Sequence, residues 1–461
     1  MHVGQRRLGV SKVFILIILG SIALIIGGVI FIIFGPKGTP PPKSVSLTVW
    51  GVWDETSDLS AIFSAYRKAH PYVKLKYVKK RPEEYADALL NGWATDTGPD
   101  IYAIPNTGLN KYRADFITPL PKSTTVYTYT TKKTLFKTDT SITATPTTSL
   151  TSADIKRNYI DTVYNDIIFD GKIYGLPLSV NTLVMYYNRD LLNQAHIIDP
   201  PRTWAEFATV IPRLTVLDDQ NNIVRAGAAL GTYENIPNAI DIVTVLMLQN
   251  GTQMTSGEKV SFNQPSVNDT AYIPGAQALR FYTDFTSPNK TTYTWNAAMP
   301  NALDYFAEGK LALFFGYKSQ EADIKSKNRG IDYAYAPLPQ VDLENEVNFA
   351  SYNVFTVSKK TKNSAVAWNF LQFAADKKMA AIYTKATSQT SVLRSILSDQ
   401  LKEQDLSILA QQALTATSWY HGRDPVSAAQ AFADMIETVA ADPNAIQTSL
   451  DAAAQKIQQT Y

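Results

Sequence analysis

Residues 171–192 read GKIYGLPLSVNTLVMYYNRDLL, and residues 200–207 follow with PPRTWAEF. The opening KIYGLPL is a short strand or turn. LVMYYN at 183–188 is an apolar run of strand length. Thr203-Trp204-Ala205-Glu206 has the spacing of a capping box, in which the two polar side chains satisfy free N–H groups of a helix's first turn. The box predicts a helix whose apolar face is Trp204, Phe207, Ile211 and Leu214.

Working outward, the same alternation repeats. VSLTVW at 45–50 is a predicted strand, and Leu59, Ile62, Phe63 and Tyr66 then mark a helix at i, i+3, i+4 and i+7. Pro71 ends that helix before a strand at 73–78, a helix at 82–93 and a strand at 100–104. Downstream, LDDQNNIVR at 217–225 reads as a hairpin turn between short strands. Helices are predicted at 236–250, 273–286 and 298–308, and strands at 311–316, 333–338 and 352–358. Residues 363–461 are mainly helical, and no internal repeat is visible. Strands alternating with helices point to βαβ units and a mostly parallel sheet, an α/β fold. Residues 121–153 break the pattern: the threonine-rich run is either a long loop or a β-ribbon.

The chain has 461 residues, enough for two or three domains. A net charge of +2 gives no concentrated basic face, which argues against nucleic acid. There are no cysteines, so disulfides, thiolate metal sites, cysteine nucleophiles and a lipid-modified cysteine are excluded. His2, His70, His196 and His421 are far apart and give no metal-binding spacing. No metal, cofactor or catalytic residue is expected. Asp218, Asp219, Asn221 and Asn222 lack the spacing of a calcium loop and read as a polar turn. Tyr186 and Tyr187 could suggest iron, but neighbours on a strand face opposite ways.

Residues 13–34 form an uncharged apolar run of 22, long enough to cross a hydrocarbon core of about 30 Å. No small-x-small cleavage pattern follows, so the expectation is an uncleaved transmembrane anchor. Arg6, Arg7 and Lys12 keep residues 1–12 cytoplasmic and place the rest outside the plasma membrane. Residues 35–44, GPKGTPPPKS, are a proline-rich spacer.

Several segments in order resemble the family 1 extracellular solute-binding proteins of bacterial ABC importers, the group that includes maltose-binding protein. They are LTVWGVWDE with AHPYVKLKYV, GPDIYAI, the stretch at 171–192 with PPRTWAEF, ALDYFAEGKLALFFGY, and SYNVFTVSKKTKNSAVAWNFLQFAA. The resemblance covers residues 45–461 apart from the threonine-rich insert. It implies a two-lobed periplasmic-binding-protein-like (type II) fold with a hinge and a ligand between the lobes. One lobe is placed at 45–180 plus 349–395, the other at 181–348 plus 396–461. It also implies ABC permease subunits as partners, with the binding protein itself a monomer.

The resemblance assigns ligand contacts to strand-end loops. These are Trp53, Asp54 and Glu55; Asn106 and Thr107; Ser179 and Asn181; Tyr233 and Glu234; Tyr317; Tyr352; and Trp419 and Tyr420. Aromatic rings and fixed polar groups suit a sugar, which offers C–H faces and hydroxyls. Each has a structural alternative. Trp53 and Tyr317 are as readily core, and Asp54 and Glu55 as readily a helix cap and first turn. Trp50, Trp204 and Trp368 read as core. A surface receptor or adhesin reusing the fold is the competing function. A glycosidase would need paired carboxylates, for which Asp54 or Glu55 with Glu234 are the available candidates.

Overall fold

The computed structural model describes residues 42–133, 138–267 and 269–461. The apolar run at 13–34 lies outside them. Among the described residues, no helix is long and apolar enough to cross a membrane.

Two hydrophobic cores define two lobes. One sheet places its strands in the order Asn353–Val357, Ile101–Pro105, Val45–Gly51, Val73–Lys79. Val45–Gly51 runs parallel to both neighbours, whereas Asn353–Val357 runs antiparallel to Ile101–Pro105. Helix Thr56–Ala69 buries Leu59, Ile62, Phe63 and Tyr66, the face its periodicity predicts. Trp368 is fully buried in the same core, and Trp50 is largely buried there.

The second sheet runs Val216–Leu217, Ile223–Ala228, Leu311–Gly316, Val184–Asn188, Tyr333–Ala336. Only Ile223–Ala228 with Leu311–Gly316 is parallel; the other pairs are antiparallel. The expectation of a mostly parallel sheet therefore holds in the first lobe and fails in the second. Val184–Asn188 enters from the other lobe and returns through no βαβ crossover, so nothing obliges it to run parallel. The capping box forms as read: Glu206 N donates to Thr203 Oγ1 at 3.1 Å and Thr203 N to Glu206 Oε2 at 3.2 Å. Trp204 and Phe207 are buried below it. Tyr186 is fully buried and Tyr187 only partly, as the strand alternation requires. The Asp218 carboxylate accepts from the N–H groups of Gln220 and Asn222 at 2.8 Å each, closing a polar turn.

A third, small sheet lies where the chain passes between the cores: Thr390–Ser391, Ser179–Thr182, Asn348–Ser351, Ala416–Thr417. Val180 belongs to one core and Leu183 to the other; Phe349 and Ala350 divide likewise, as do Ala416 and Tyr420. Three crossings are thus held side by side by backbone hydrogen bonds. Gly175 sits where this region meets the returning strand. A Cβ there would lie 2.4 Å from Val354 Cγ1 and 2.8 Å from Phe355 O, so only glycine lets Leu176 and Phe355 exchange backbone hydrogen bonds.

The threonine-rich insert is a β-ribbon, the second of the two forms its composition allows. Ser123–Lys133 pairs antiparallel with Thr138–Thr148 along its whole length. The ribbon is tied to its lobe by Tyr127, whose carbonyl accepts from His70 Nδ1 at 2.8 Å and whose N–H donates to Tyr72 Oη at 3.1 Å. Alternating threonine and aromatic residues suit a strand with one face packed on the protein.

Candidate ligand-binding cleft

The crossings bring strand ends from both lobes together around two recesses. The first has a volume of about 270 Å³ and takes Thr107 from one lobe and Tyr233, Asn238, Asp241 and Trp419 from the other. Thr244, fully buried in its wall, has a hydroxyl with no partner among the described residues. The second, about 650 Å³, is lined by Asn181, Lys318, Glu321 and Tyr335 opposite Ser388 and Gln389. Tyr317 links the two. Its hydroxyl donates to Asp241 Oδ2 at 2.7 Å, and the next residue, Lys318, lies in the second recess.

Burial and neighbours set the ionisation of this wall. Burial pushes the Asp241 carboxyl up to about 6, although the Tyr317 hydrogen bond works against it. Part of the Asp241 surface stays open to the recess, so this carboxyl is deep in the protein yet reachable by a ligand. Burial, and then the Asp241 charge, hold the Tyr317 phenol far above its ordinary value, so it remains a neutral donor.

The predicted residues separate into three groups. Thr107, Tyr233, Trp419 and Tyr420 line the first recess, and Asn181 the second. Trp419 packs against Phe432 with ring centroids 5.6 Å apart, while Tyr420 Oη is occupied by Thr460 at 2.9 Å. A second group frames the cleft from behind. Asp54 accepts from Tyr383 Oη at 2.5 Å, and Ser179 donates to Gln389. Asn106, Tyr352 and Tyr317 are buried and hydrogen-bonded. The third group faces solvent: Trp53 is 53% exposed, Glu55 caps helix Thr56–Ala69 and pairs with Lys79, and Glu234 is exposed.

Asn106 and Tyr352 meet at a residue the sequence did not single out. Asp166, 2% exposed, accepts from Asn106 Nδ2 at 2.9 Å and Tyr352 Oη at 2.6 Å through one oxygen. Its other oxygen accepts from Ser418 Oγ at 2.5 Å and is 3.0 Å from His421 Nε2. Asn110 Nδ2 adds a bond to the His421 carbonyl at 2.7 Å. The third crossing is thereby pinned to the first lobe. Nothing in the local sequence around Asp166 marks it, because its partners lie 60 to 255 positions away. Asp241, Thr244 and Lys318 were missed for the same reason: each reads locally as an ordinary helix or loop position.

A family described as bacterial extracellular solute-binding protein matches residues 61–407. The chain belongs to that family. Its members bind solutes outside the cytoplasm and are not enzymes, which removes the glycosidase reading. The galactooligosaccharide-binding protein of Bacillus subtilis (strain 168) is 24% identical over 376 residues, 79% of this chain and 78% of the relative. The diacetylchitobiose binding protein DasA of Streptomyces coelicolor is 24% identical over 352 residues, 74% and 72% of the two chains. The maltodextrin-binding protein MdxE of B. subtilis matches over a shorter span, 24% over 270 residues and 60% of its own length. Among solved structures, the cyclic alpha-maltosyl-1,6-maltose binding protein from Arthrobacter globiformis superposes with a TM-score of 0.70 at 18% identity, covering 90% of this chain and 98% of that one. A cyclo/maltodextrin-binding protein complexed with maltotetraose gives 0.69 at 15% identity, covering 91% and 98%. These likenesses confirm the two-lobed α/β architecture of the solute-binding fold.

Proposed function

We propose that this solute-binding protein captures a carbohydrate, of oligosaccharide size, between its lobes and delivers it to an ABC importer. The observation that carries the reading is the recess into which Thr107 projects from one lobe and Tyr233 and Trp419 from the other. A ligand touching both sides is held best when the lobes close, so binding favours the closed form by its differential affinity. Trp419 and Tyr233 offer apolar faces to sugar C–H groups, while Thr107, Asn181, Asn238 and Asp241 offer hydrogen bonds to hydroxyls. The relatives named for galactooligosaccharide, diacetylchitobiose and maltodextrin support that choice of ligand class.

The lobes are taken as residues 45–180 plus 349–395 and 181–348 plus 396–461, with the small third sheet as hinge; the two cores support this division except at Phe349, which packs in the second core, and at Ile396, Leu397, Ala410, Ala413 and Ala416, which pack in the first. Residues 13–34 serve as a membrane anchor and 35–44 as its spacer, a reading that rests on their sequence. The protein acts as a monomer facing its permease.

A glycan panel tests the proposal by thermal shift and small-angle scattering on the purified chain. A bound sugar at about 100 times its Kd should stabilise the protein by about 2.7 kcal/mol and reduce its radius of gyration. No stabilisation and no compaction with any oligosaccharide would refute it.

A further inference from the structure

A second cavity lies away from the cleft, beneath the threonine-rich ribbon. It measures about 780 Å³, larger than either recess of the cleft and within the range of small-molecule sites. Its roof includes Val126, Thr128 and Thr147 of the ribbon, and its floor comes from the lobe itself. Seven buried side-chain polar atoms among the described residues have no hydrogen-bond partner, and three belong to this wall: Ser149 Oγ, Tyr159 Oη and Gln372 Nε2. Tyr159 is 2% exposed. An unpaired buried hydroxyl or amide costs about 1–3 kcal/mol, so three gathered in one wall are stabilised by any small shift that turns them to a ligand.

The chemistry of the wall narrows the partner. Its two carboxylates are already engaged: Asp154 in a capping box with Thr151, and Asp376 by the N–H groups of Lys378 and Met379. Lys377 is the one cation of the lining, and His70 is tied to the ribbon through its Nδ1. What remains is hydroxyl and carboxamide, from Thr147, Ser149, Asn158, Tyr159 and Gln372, beside the apolar Val126, Phe373 and Leu393. That mixture fits neither an anion nor an apolar ligand.

We infer that the cavity between the ribbon and its lobe is a second binding site, for a neutral, hydroxyl-rich ligand of one or two sugar rings. The ribbon forms the roof of this site, and its threonines supply donors and acceptors at the rim. The site is independent of the cleft and of the ligand held there. A free oligosaccharide and a sugar unit of a longer envelope polysaccharide present the same chemistry.

Calorimetry and saturation-transfer NMR on the full chain, with maltose, cellobiose and diacetylchitobiose as probes, test the inference. Trp419→Ala, which lies in the cleft, should leave one binding component intact. Thr147→Trp and, from the opposite rim, Ser395→Trp should remove that component while leaving the fold and cleft binding unchanged. Tyr159→Phe should weaken it about fivefold, the loss of one hydrogen bond. Competition by soluble dextran against maltose separates the two sources: displacement points to a polymer-borne unit and its absence to a free sugar. If neither rim variant changes binding of any probe relative to the wild-type chain, the second site is refuted. If Trp419→Ala retains all binding while the two rim variants abolish it, the sugar is held at the ribbon site and Trp419 is not a ligand contact.

Discussion

Replacing Asp166 with alanine removes the acceptor shared by Asn106, Tyr352, Ser418 and His421. Asn106 and Tyr352 are buried, and each would be left with a donor unpaired. At about 1–3 kcal/mol per orphaned buried donor, the two cost about 2–6 kcal/mol. Ser418 and His421 are more accessible and can turn to water, so their share is smaller. A loss of about 3–5 kcal/mol follows, the range typical of breaking a buried charged network. Because the donors come from both sides of the third crossing, the same change should loosen the lobes. Urea denaturation reads the stability, and scattering without ligand reads the interlobe opening. Asp166→Asn keeps one acceptor oxygen and should fall between wild type and alanine. A stability change below about 1 kcal/mol for Asp166→Ala, with unaltered scattering, would refute the reasoning.

Three further outcomes follow from other parts of the cleft and frame. Burial raises the folded pKa of Asp241 from its ordinary value of about 4 to about 6, so the folded state holds an extra proton in that window. Its contribution to stability is fully present below about 4 and is lost as pH rises through about 6, by at most about 3 kcal/mol. Asp241→Asn should flatten that part of the stability-versus-pH curve, and an unchanged slope would count against the assignment. Trp419→Ala should weaken glycan binding at least tenfold, as measured by calorimetry, and also cost some stability because the ring packs on Phe432; an unaltered Kd would remove Trp419 from the site. Gly175→Ala, with its Cβ driven into Val354 and the Phe355 carbonyl, should cost about 1–3 kcal/mol by chemical denaturation.

Much of this architecture is legible in local pattern. The period of Leu59, Ile62, Phe63 and Tyr66 set a helix face, and the Thr203–Glu206 box set a helix start, because both signals act over one or two turns. The buried strands Val184–Asn188 and Leu311–Gly316 were visible as short apolar runs. Strand direction was not. Val184–Asn188 and Tyr333–Ala336 look no different in sequence from parallel strands, yet they pair antiparallel because the chain crosses between lobes.

The site divides along the same line. The family resemblance points to the strand-end loops, and of the residues it names, Thr107, Tyr233, Trp419 and Tyr420 line the first recess and Asn181 the second. Whether a polar side chain on such a loop points into the cleft or braces the frame is a question of partners. Tyr352, Asn106 and Asp54 sit in loops or strand ends like the others, but each is hydrogen-bonded to a group distant in sequence. The Asp166 cluster and the cavity under the ribbon are wholly of this kind. By itself the sequence determined the elements, the two-lobed family and the apolar N-terminal run. Only the tertiary structure decided which buried donors met an acceptor and which, at Tyr159 and Thr244, did not, because long-range pairing leaves no local period to read.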